Sequence, residues 1–444
     1  MTASTSVAPR SSVSAAVDAA AAAAPGWAAA TPGARGEVLR RAADGLEARA
    51  EELALLITRS VAKPIVESRA EARRAVTILR FASSLGAAQT GRMWRSEDAA
   101  TTVLAVRGPV GVVALITPFN FPAAIPAWKL APALVAGNAV LLKPSPPAAA
   151  CAQVLAEALL EAGLPEGVFR VLDGDAETGA ALVDDERVAA VSFTGSTAAG
   201  RRVAEACARR GARVQLELGG KNTSIVLADA DLPAAARDVA AAAYGYAGQK
   251  CTATSRVLVA REVAGELIRL LADATAHTVV GDPEDPRTVC GPVIAAAKTH
   301  QVESALRGAD VVARAAVPEQ GDRWVAPALV RDPAEDSPLW RDELFAPVLA
   351  VTSFDSLDAA FATVNDAEDG LATGLYTTSS AAVHHALRGL RSGVVAVNRP
   401  TTGLDAHVPF GGIRGSGAGP REQGPDSLDF YTEERTVYWR EQPR

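Results

Sequence analysis

Between positions 112 and 218 the chain alternates short, continuous apolar runs with stretches of helical spacing. Strands are predicted over 112–117, 139–143, 168–172, 188–193 and 214–218. Helices are predicted over 123–136, 148–162, 176–183 and 198–210, three of them closed by Gly137-Asn138, Gly163 and Gly211. Apolar runs without in–out alternation are buried on both faces, which calls for a parallel sheet covered by helices on each side. Such a sheet binds ligands beyond the carboxyl ends of its strands. Residues 34–90 repeat apolar positions at helical spacing and are predicted as amphipathic helices. Residues 101–106 are β-prone and form half of a hairpin before Gly108-Pro109. After Gly220 the pattern restarts, with strands predicted over 225–227, 257–259, 348–352 and 394–397. At 444 residues the chain exceeds one small core, and the restart marks a second α/β domain.

The net charge of -7 argues against nucleic acid as a partner. The four cysteines (Cys151, Cys207, Cys251 and Cys290) form no CxxC pair, and with five histidines no metal site is expected. Sparse cysteines suit a reducing cytoplasm. The alanine-rich stretch 15–30 is broken by Asp18 and lacks strongly apolar residues, so it reads as a first helix ending near Pro25-Gly26 rather than a leader. No run reaches membrane-spanning length. Only Lys63, Lys129, Lys143, Lys221, Lys250 and Lys298 are lysine among 44 cations. Where arginine is the default, a lysine marks a place that needs a compact ammonium.

The candidate chemistry sits between these elements. Cys251 lies in the small, polar run Gly248-Gln249-Lys250-Cys251-Thr252, between the cations Lys250 and Arg256. A nearby lysine or converging N–H groups would raise its thiolate fraction, although a buried structural thiol fits the residue alone. Asn120, held between Phe119 and Phe121 and bracketed by Pro118 and Pro122, either donates to an oxyanion or satisfies its own turn. Glu217, flanked by leucines at a strand end, reads as a desolvated base or a paired structural carboxylate. Phe193-Thr194-Gly195-Ser196-Thr197 turns a strand into a helix and exposes N–H groups to an anion; a plain β–α turn has the same pattern. Lys143 ends a neighbouring strand, facing a ribose, a phosphate or solvent. Glu343 and Phe345 suit ribose hydroxyls and a nicotinamide ring, or merely a helix end. The run Val408 to Gly417 is glycine-rich and permits close backbone approach.

In this order, Pro118-Phe119-Asn120-Phe121-Pro122, Lys143-Pro144-Ser145, Phe193-Thr194-Gly195-Ser196-Thr197, Glu217-Leu218-Gly219-Gly220-Lys221-Asn222, Gly248-Gln249-Lys250-Cys251-Thr252, Glu343-Leu344-Phe345-Ala346-Pro347-Val348 and Pro409-Phe410-Gly411-Gly412 resemble the aldehyde dehydrogenase superfamily. The resemblance covers residues 15–440, and the 34-residue separation of Glu217 and Cys251 fits it. It implies an α/β fold with a Rossmann-type parallel-sheet cofactor domain (1–93 and 108–219), an α/β catalytic domain (220–428) and an oligomerisation hairpin (94–107 with 429–444). It implies that Cys251 is the nucleophile and that Asn120 and the Cys251 N–H form the oxyanion hole. Glu217 is then the base for the deacylating water, and Lys129 a further catalytic residue. NAD or NADP is expected against Thr117, Pro118, Phe119, Lys143, Ser145, Pro146, Gly195, Ser196, Gly200, Leu218, Glu343 and Phe345. The aldehyde is expected against Trp128, Lys250, Thr252, His407 and Phe410, with Arg414 as a further cation for an acid group.

Finer features, including Ile125 to Leu134, Thr401 to Phe410 and Gly419 to Gly424, are similar to α-ketoglutarate semialdehyde (2,5-dioxopentanoate) dehydrogenases, which implies a small anionic aldehyde. Glu217 favours hydrolysis over transfer to coenzyme A, because acyl-CoA-forming relatives generally lack it. A CoA-acylating enzyme and a catalytically silent scaffold are the alternatives. The amino terminus is shorter than usual for the family, so an early β segment is expected to be missing. Pro146 stands where many NAD-preferring members carry a glutamate, which opens the site to NADP. The segment 94–107 is short for the family's hairpin, which leaves homodimer and homotetramer both open.

Overall fold

The computed structural model describes residues 10–88, 91–319 and 321–442. The parts of the expected segments at 1–9, 89–90 and 443–444 lie outside the described residues. The alternation between 112 and 218 folds into one sheet. Its strand order is Gly417–Ala418, Arg213–Glu217, Val188–Thr194, Val112–Thr117, Ala139–Pro144 and Phe169–Val171. All neighbours are parallel except the first pair. Successive strand residues feed opposite layers. Val113, Leu115, Val140 and Leu142 join one apolar core, while Ala114, Ile116 and Leu141 join the other. That division is why these strands read as continuous apolar runs. The chain leaves Val112–Thr117 towards one edge and returns at Val188–Thr194 on its other side. The crevice between those two strands is the topological switch point, where open α/β sheets hold ligands.

A second sheet follows, in the order Asp310–Arg314, Ala328–Arg331, Val348–Phe354, Arg256–Ala260, Thr223–Val226, Ala372–Tyr376 and Val394–Val397. Only the first pair is antiparallel. Three of these strands lay outside the expected set. Ala372–Tyr376 carries Gly374, and Asp310–Arg314 is a half-exposed edge, so neither shows a strong apolar run. Gly417–Ala418 adds an antiparallel edge strand from a late part of the chain to the first sheet, across the expected boundary at 219/220.

The expected hairpin is longer than 94–107. Arg92–Arg95 pairs with Thr101–Pro109, which also pairs antiparallel with Thr432–Arg440 along its whole length. Met93, Trp94, Tyr438 and Trp439 are exposed on this three-stranded sheet. The first helix does not end near Pro25-Gly26 but runs over Arg10–Ala29 with Pro25 inside it. Proline in a helix costs about 3 kcal/mol. Trp27 offsets this cost: it is buried and donates through Nε1 to the Leu134 carbonyl at 2.9 Å. No helix among the described residues is long and apolar enough to cross a membrane.

Candidate active site

The strand Arg213–Glu217 continues through Leu218 to Asn222 directly into Thr223–Val226. The carboxyl edge of the first sheet therefore abuts the amino edge of the second. Asn120 follows Val112–Thr117, Glu217 ends its strand, and Cys251 lies in the loop before Arg256–Ala260. Three residues far apart in the chain thus meet at one seam.

The loop carrying Cys251 is tightly specified. Tyr246 and Ala247 take left-handed backbone (φ 53° and 54°), and Gly248 follows at φ 66°. A Cβ at Gly248 would stand 2.5 Å from the Ala346 carbonyl oxygen, so the close approach requires glycine. Buried Gln249 accepts from the Ile294 N–H at 2.9 Å, and its carbonyl accepts from Asn120 Nδ2 at 3.0 Å. An amide nitrogen carries two hydrogens, so Asn120 keeps one for a second acceptor beside Cys251. Asn222, which sequence reasoning left without a role, ties the loop down. Its Nδ2 donates to the carbonyls of Cys251 (2.7 Å) and Ala253 (2.9 Å), and its Oδ1 accepts from the Ala372 N–H (3.0 Å). Its own carbonyl accepts from the N–H groups of Ser255 and Arg256. Asn222→Ala leaves two carbonyls and one N–H unpaired near the sulfur. The expected cost is about 2–4 kcal/mol of stability, read by denaturant melting, with kcat reduced at least tenfold or so.

The thiol of Cys251 is pushed up to about 12, first by burial and then by the carboxylates of Glu343 and Glu217. A lysine close to the sulfur would work in the other direction. The Lys250 ammonium turns away to Glu67, 2.7 Å from its Oε2. The sulfur must lose its proton before it can attack. Glu217 is buried and its pKa is raised well above the usual carboxylate range by that burial, with the Glu422 charge adding. The Gly412 N–H donates to Glu217 Oε2 at 3.1 Å and works in the other direction. A Cβ at Gly411 would stand 2.4 Å from Glu217 Oε1, so the glycine-rich loop is what brings backbone this close to the carboxylate.

Lys129 is fully buried and does not reach the sulfur as a direct partner. It pairs with Glu422 and donates to Ser192 Oγ at 2.7 Å; Ser192 in turn donates to Gln215 Oε1 at 2.9 Å. The Lys129 charge lowers the Glu217 pKa, against the effect of burial. Glu422 was not anticipated, although it lies inside the run 419–424. Its Oε2 is buried without a protein partner.

On the other side lie the residues expected to meet a cofactor. Thr117 Oγ1, Ser145 Oγ and Thr194 Oγ1, at the carboxyl ends of three adjacent strands, are buried and lack protein partners. Ser196 caps the helix Thr197–Arg210, whose N-terminus presents N–H groups and the positive end of its dipole. Lys143 is buried at its strand end, and burial lowers its pKa. Gly200 gives way to Leu218: a Cβ there would meet Leu218 Cδ2 at 2.4 Å. Pro118 leads into the turn before Phe119. Phe345, at φ 52°, stands edge-on to Phe119 with ring centroids 6.0 Å apart. Glu343 packs against Gly219 and is pushed up to about 7, first by burial. Its neighbour Asp342 offers its carbonyl to Lys221 Nζ at 2.7 Å. Burial brings Lys221 down to about 7. Hydroxyls, a helix N-terminus, a cation and a buried carboxyl form a donor and acceptor set that fits a dinucleotide: phosphates need donors, and ribose hydroxyls need an acceptor.

A cavity of about 390 Å³ opens onto Cys251 from the opposite side. Trp128, Lys250, Thr252 and Phe410 line it, together with Phe121, Arg74 and Gln423. Two expected residues fall elsewhere. His407 stands edge-on to Phe81, at 6.5 Å between centroids, and does not line the cavity. Arg414 spends its guanidinium on the carbonyls of Ala367 (2.6 Å) and Arg391 (3.0 Å), among others, and is a structural cation.

The model of the aldehyde dehydrogenase family matches residues 1–437. The 2,5-dioxopentanoate dehydrogenase of Saccharolobus solfataricus is 38% identical over 414 residues, covering 91% of this chain and 86% of its own. The geranial dehydrogenase of Castellaniella defragrans is 38% identical over 418 residues, covering 93% and 87%. The crystal structure of an NAD-dependent aldehyde dehydrogenase from Sinorhizobium meliloti superimposes with a TM-score of 0.94 at 34% identity, covering 99% of this chain and 89% of that one.

Proposed function

The chain belongs to the aldehyde dehydrogenase family, and on that premise we propose that it oxidises a short, anionic aldehyde to its carboxylate, with NAD or NADP as hydride acceptor and water as acyl acceptor. The observation that carries the reading is the convergence of Asn120, Glu217 and Cys251 at the seam between the two sheets.

Cys251 Sγ adds to the aldehyde carbon after its proton passes to solvent, which leaves the carboxylate of Glu217 free as the base for the later hydrolysis. The oxygen takes up negative charge and meets the free hydrogen of Asn120 Nδ2 and the Cys251 N–H, a pair of donors worth about 10²–10³ in rate per donor. A nicotinamide dinucleotide held beside the sulfur would supply the hydride acceptor, and loss of hydride from the same carbon leaves a thioester on Cys251. Glu217 then takes a proton from water as the water oxygen bonds the acyl carbon. The carbon–sulfur bond breaks, the acid proton passes to the departing sulfur, the product leaves as a carboxylate with the Cys251 thiol restored, and Glu217 returns its proton to solvent. Thr117, Ser145, Thr194, Lys143 and the helix at Ser196 would hold the dinucleotide, with Glu343 on a ribose.

Kinship supports the substrate class in part. A relative named for 2,5-dioxopentanoate and one named for geranial share the same identity with this chain, so substrate charge must be read from the cavity. The experiment is an aldehyde panel with each cofactor, following reduced nicotinamide and identifying the product. Free acid formed without coenzyme A is expected. An acyl-CoA thioester, formed only on adding coenzyme A, would establish the acylating alternative instead.

Pro146 opens the short turn Pro146–Ala148 and is exposed beside Ser145. No carboxylate stands at this position to repel a 2′-phosphate. NADP is therefore expected to bind within about 100-fold of NAD. Pro146→Glu is expected to weaken NADP about tenfold or more while sparing NAD, measured by titrating each cofactor. The three-stranded sheet with its exposed Met93, Trp94, Tyr438 and Trp439 is assigned to self-association as a dimer or tetramer.

A further inference from the structure

The cavity in front of Cys251 contains more charge than its aromatic walls suggest, and most of that charge is already paired. Lys250 is bound to Glu67 at 2.7 Å. Glu71 is bound to buried Lys63 and accepts from the N–H groups of Ala123 (2.9 Å) and Ala124 (3.1 Å). Arg74 is different. It projects from the helix Ile65–Leu85 and makes no ion pair among the described residues, with the charges of Asp405 and Glu71 acting on it only from further off. Its guanidinium donates to the Leu404 carbonyl and, at 3.2 Å, to Gln423 Oε1. It lies 5.9 Å over the Trp128 ring. Gln423 is itself buried and held in left-handed backbone at φ 59°. A non-glycine residue in that conformation carries strain that the surrounding structure must support. Here the strained residue aims a neutral oxygen at Arg74, fixing the fork without neutralising it. Burial lowers the guanidinium's pKa, yet arginine remains charged across the physiological range. A cation oriented in this way, desolvated against indole and without a carboxylate hydrogen-bonded to it, is a ready receptor for an anion.

We propose that Arg74 is the specificity-determining residue that binds the acid group of the substrate, so that the enzyme selects aldehydes bearing a carboxylate at the far end of a short chain. The inference rests on the proposed oxidation of aldehydes and adds to it the group that recognises the substrate tail. Glu67 and Glu71 also face the cavity, and their pairing with Lys250 and Lys63 leaves Arg74 as the unspent charge among its lining residues.

The probes are 5-oxopentanoate, its methyl ester and pentanal, oxidised by the full-length enzyme with saturating cofactor. Wild type is expected to prefer the free acid over the ester by about 30-fold or more in kcat/KM, the scale of one charge-assisted pair. Arg74→Ala and Arg74→Gln are each expected to lower kcat/KM for 5-oxopentanoate about 30- to 100-fold, mainly through KM. Both should leave the ester and pentanal within about threefold, and Arg74→Lys should recover part of the loss. Three results would overturn the proposal: equal losses for all three aldehydes, a wild type indifferent to the carboxylate, or a loss confined to kcat. Oxidation of the ester and pentanal with indifference to the acid refutes Arg74 alone. Failure to oxidise any aldehyde refutes the dehydrogenase reading on which it stands.

Discussion

Cys251→Ala is expected to abolish aldehyde oxidation, lowering kcat/KM by about 10⁴-fold or more, while cofactor affinity and thermal stability stay near wild type. The loss is large because no other group can form the bond to carbon on which both halves of the reaction depend. Stability should hold because the loop is fastened through the main chain. Asn222 binds the carbonyls of Cys251 and Ala253, and Thr401 Oγ1 donates to the Thr252 carbonyl at 2.7 Å; none of these bonds uses the sulfur. Thiol acidity does not by itself identify the nucleophile. Burial holds Cys151 and Cys290 at about 12 as well, the same value as Cys251. What separates Cys251 is access: it opens onto the cavity of about 390 Å³ and faces Glu217, whereas the other two are fully buried in cores. Cys151→Ala and Cys290→Ala are therefore the controls, and turnover surviving in Cys251→Ala would remove the covalent mechanism altogether.

Legibility in the sequence followed the range of each interaction. The five strands between 112 and 218 were readable because two cores, one on each face, demand continuous apolar runs. Asn120, Glu217 and Cys251 were readable only together, through a family resemblance, since each alone suits an ordinary structural role. Asn222 stood inside a quoted motif, but its purpose was hidden. Its partners lie around Cys251 and, through Ala372, 150 residues away on another strand. Arg74 was missed because a charged residue in an amphipathic helix looks like solvent-facing surface. A faint signal existed in Glu67, Glu71 and Arg74, which recur at i, i+4 and i+7 and so share one side of the helix Ile65–Leu85. Lys250 shows the converse limit. Its place next to Cys251 in sequence suggested a role at the sulfur or on a substrate acid group; it does line the cavity, but the partner of its ammonium, Glu67, lies on a distant helix and could not be read from the sequence.

Glu217→Gln separates the two halves of the reaction. The variant is expected to release one equivalent of reduced cofactor per active site and then slow about 10²–10⁴-fold, because the thioester on Cys251 still forms while water lacks its base. Rapid mixing would show the burst, and mass spectrometry of the intact chain would show the acyl adduct on Cys251. The pH dependence follows from the direction of the carboxyl's shift. Burial and Glu422 raise the Glu217 pKa well above the usual carboxylate range. The group is protonated and idle below that raised value and becomes a base as pH rises through it. Wild-type steady-state turnover should therefore climb with pH through a region above ordinary carboxylate titration, and the climb should vanish in Glu217→Gln. The substitution also tests what the carboxylate costs the fold. A glutamine oxygen can still accept from the Gly412 N–H, while the repulsion from Glu422 disappears. Thermal stability should then hold or rise as turnover falls, the pairing expected when a buried charge is kept for chemistry rather than for folding. A Glu217→Gln variant that turns over without a burst, with its pH climb intact, would move the base to another group.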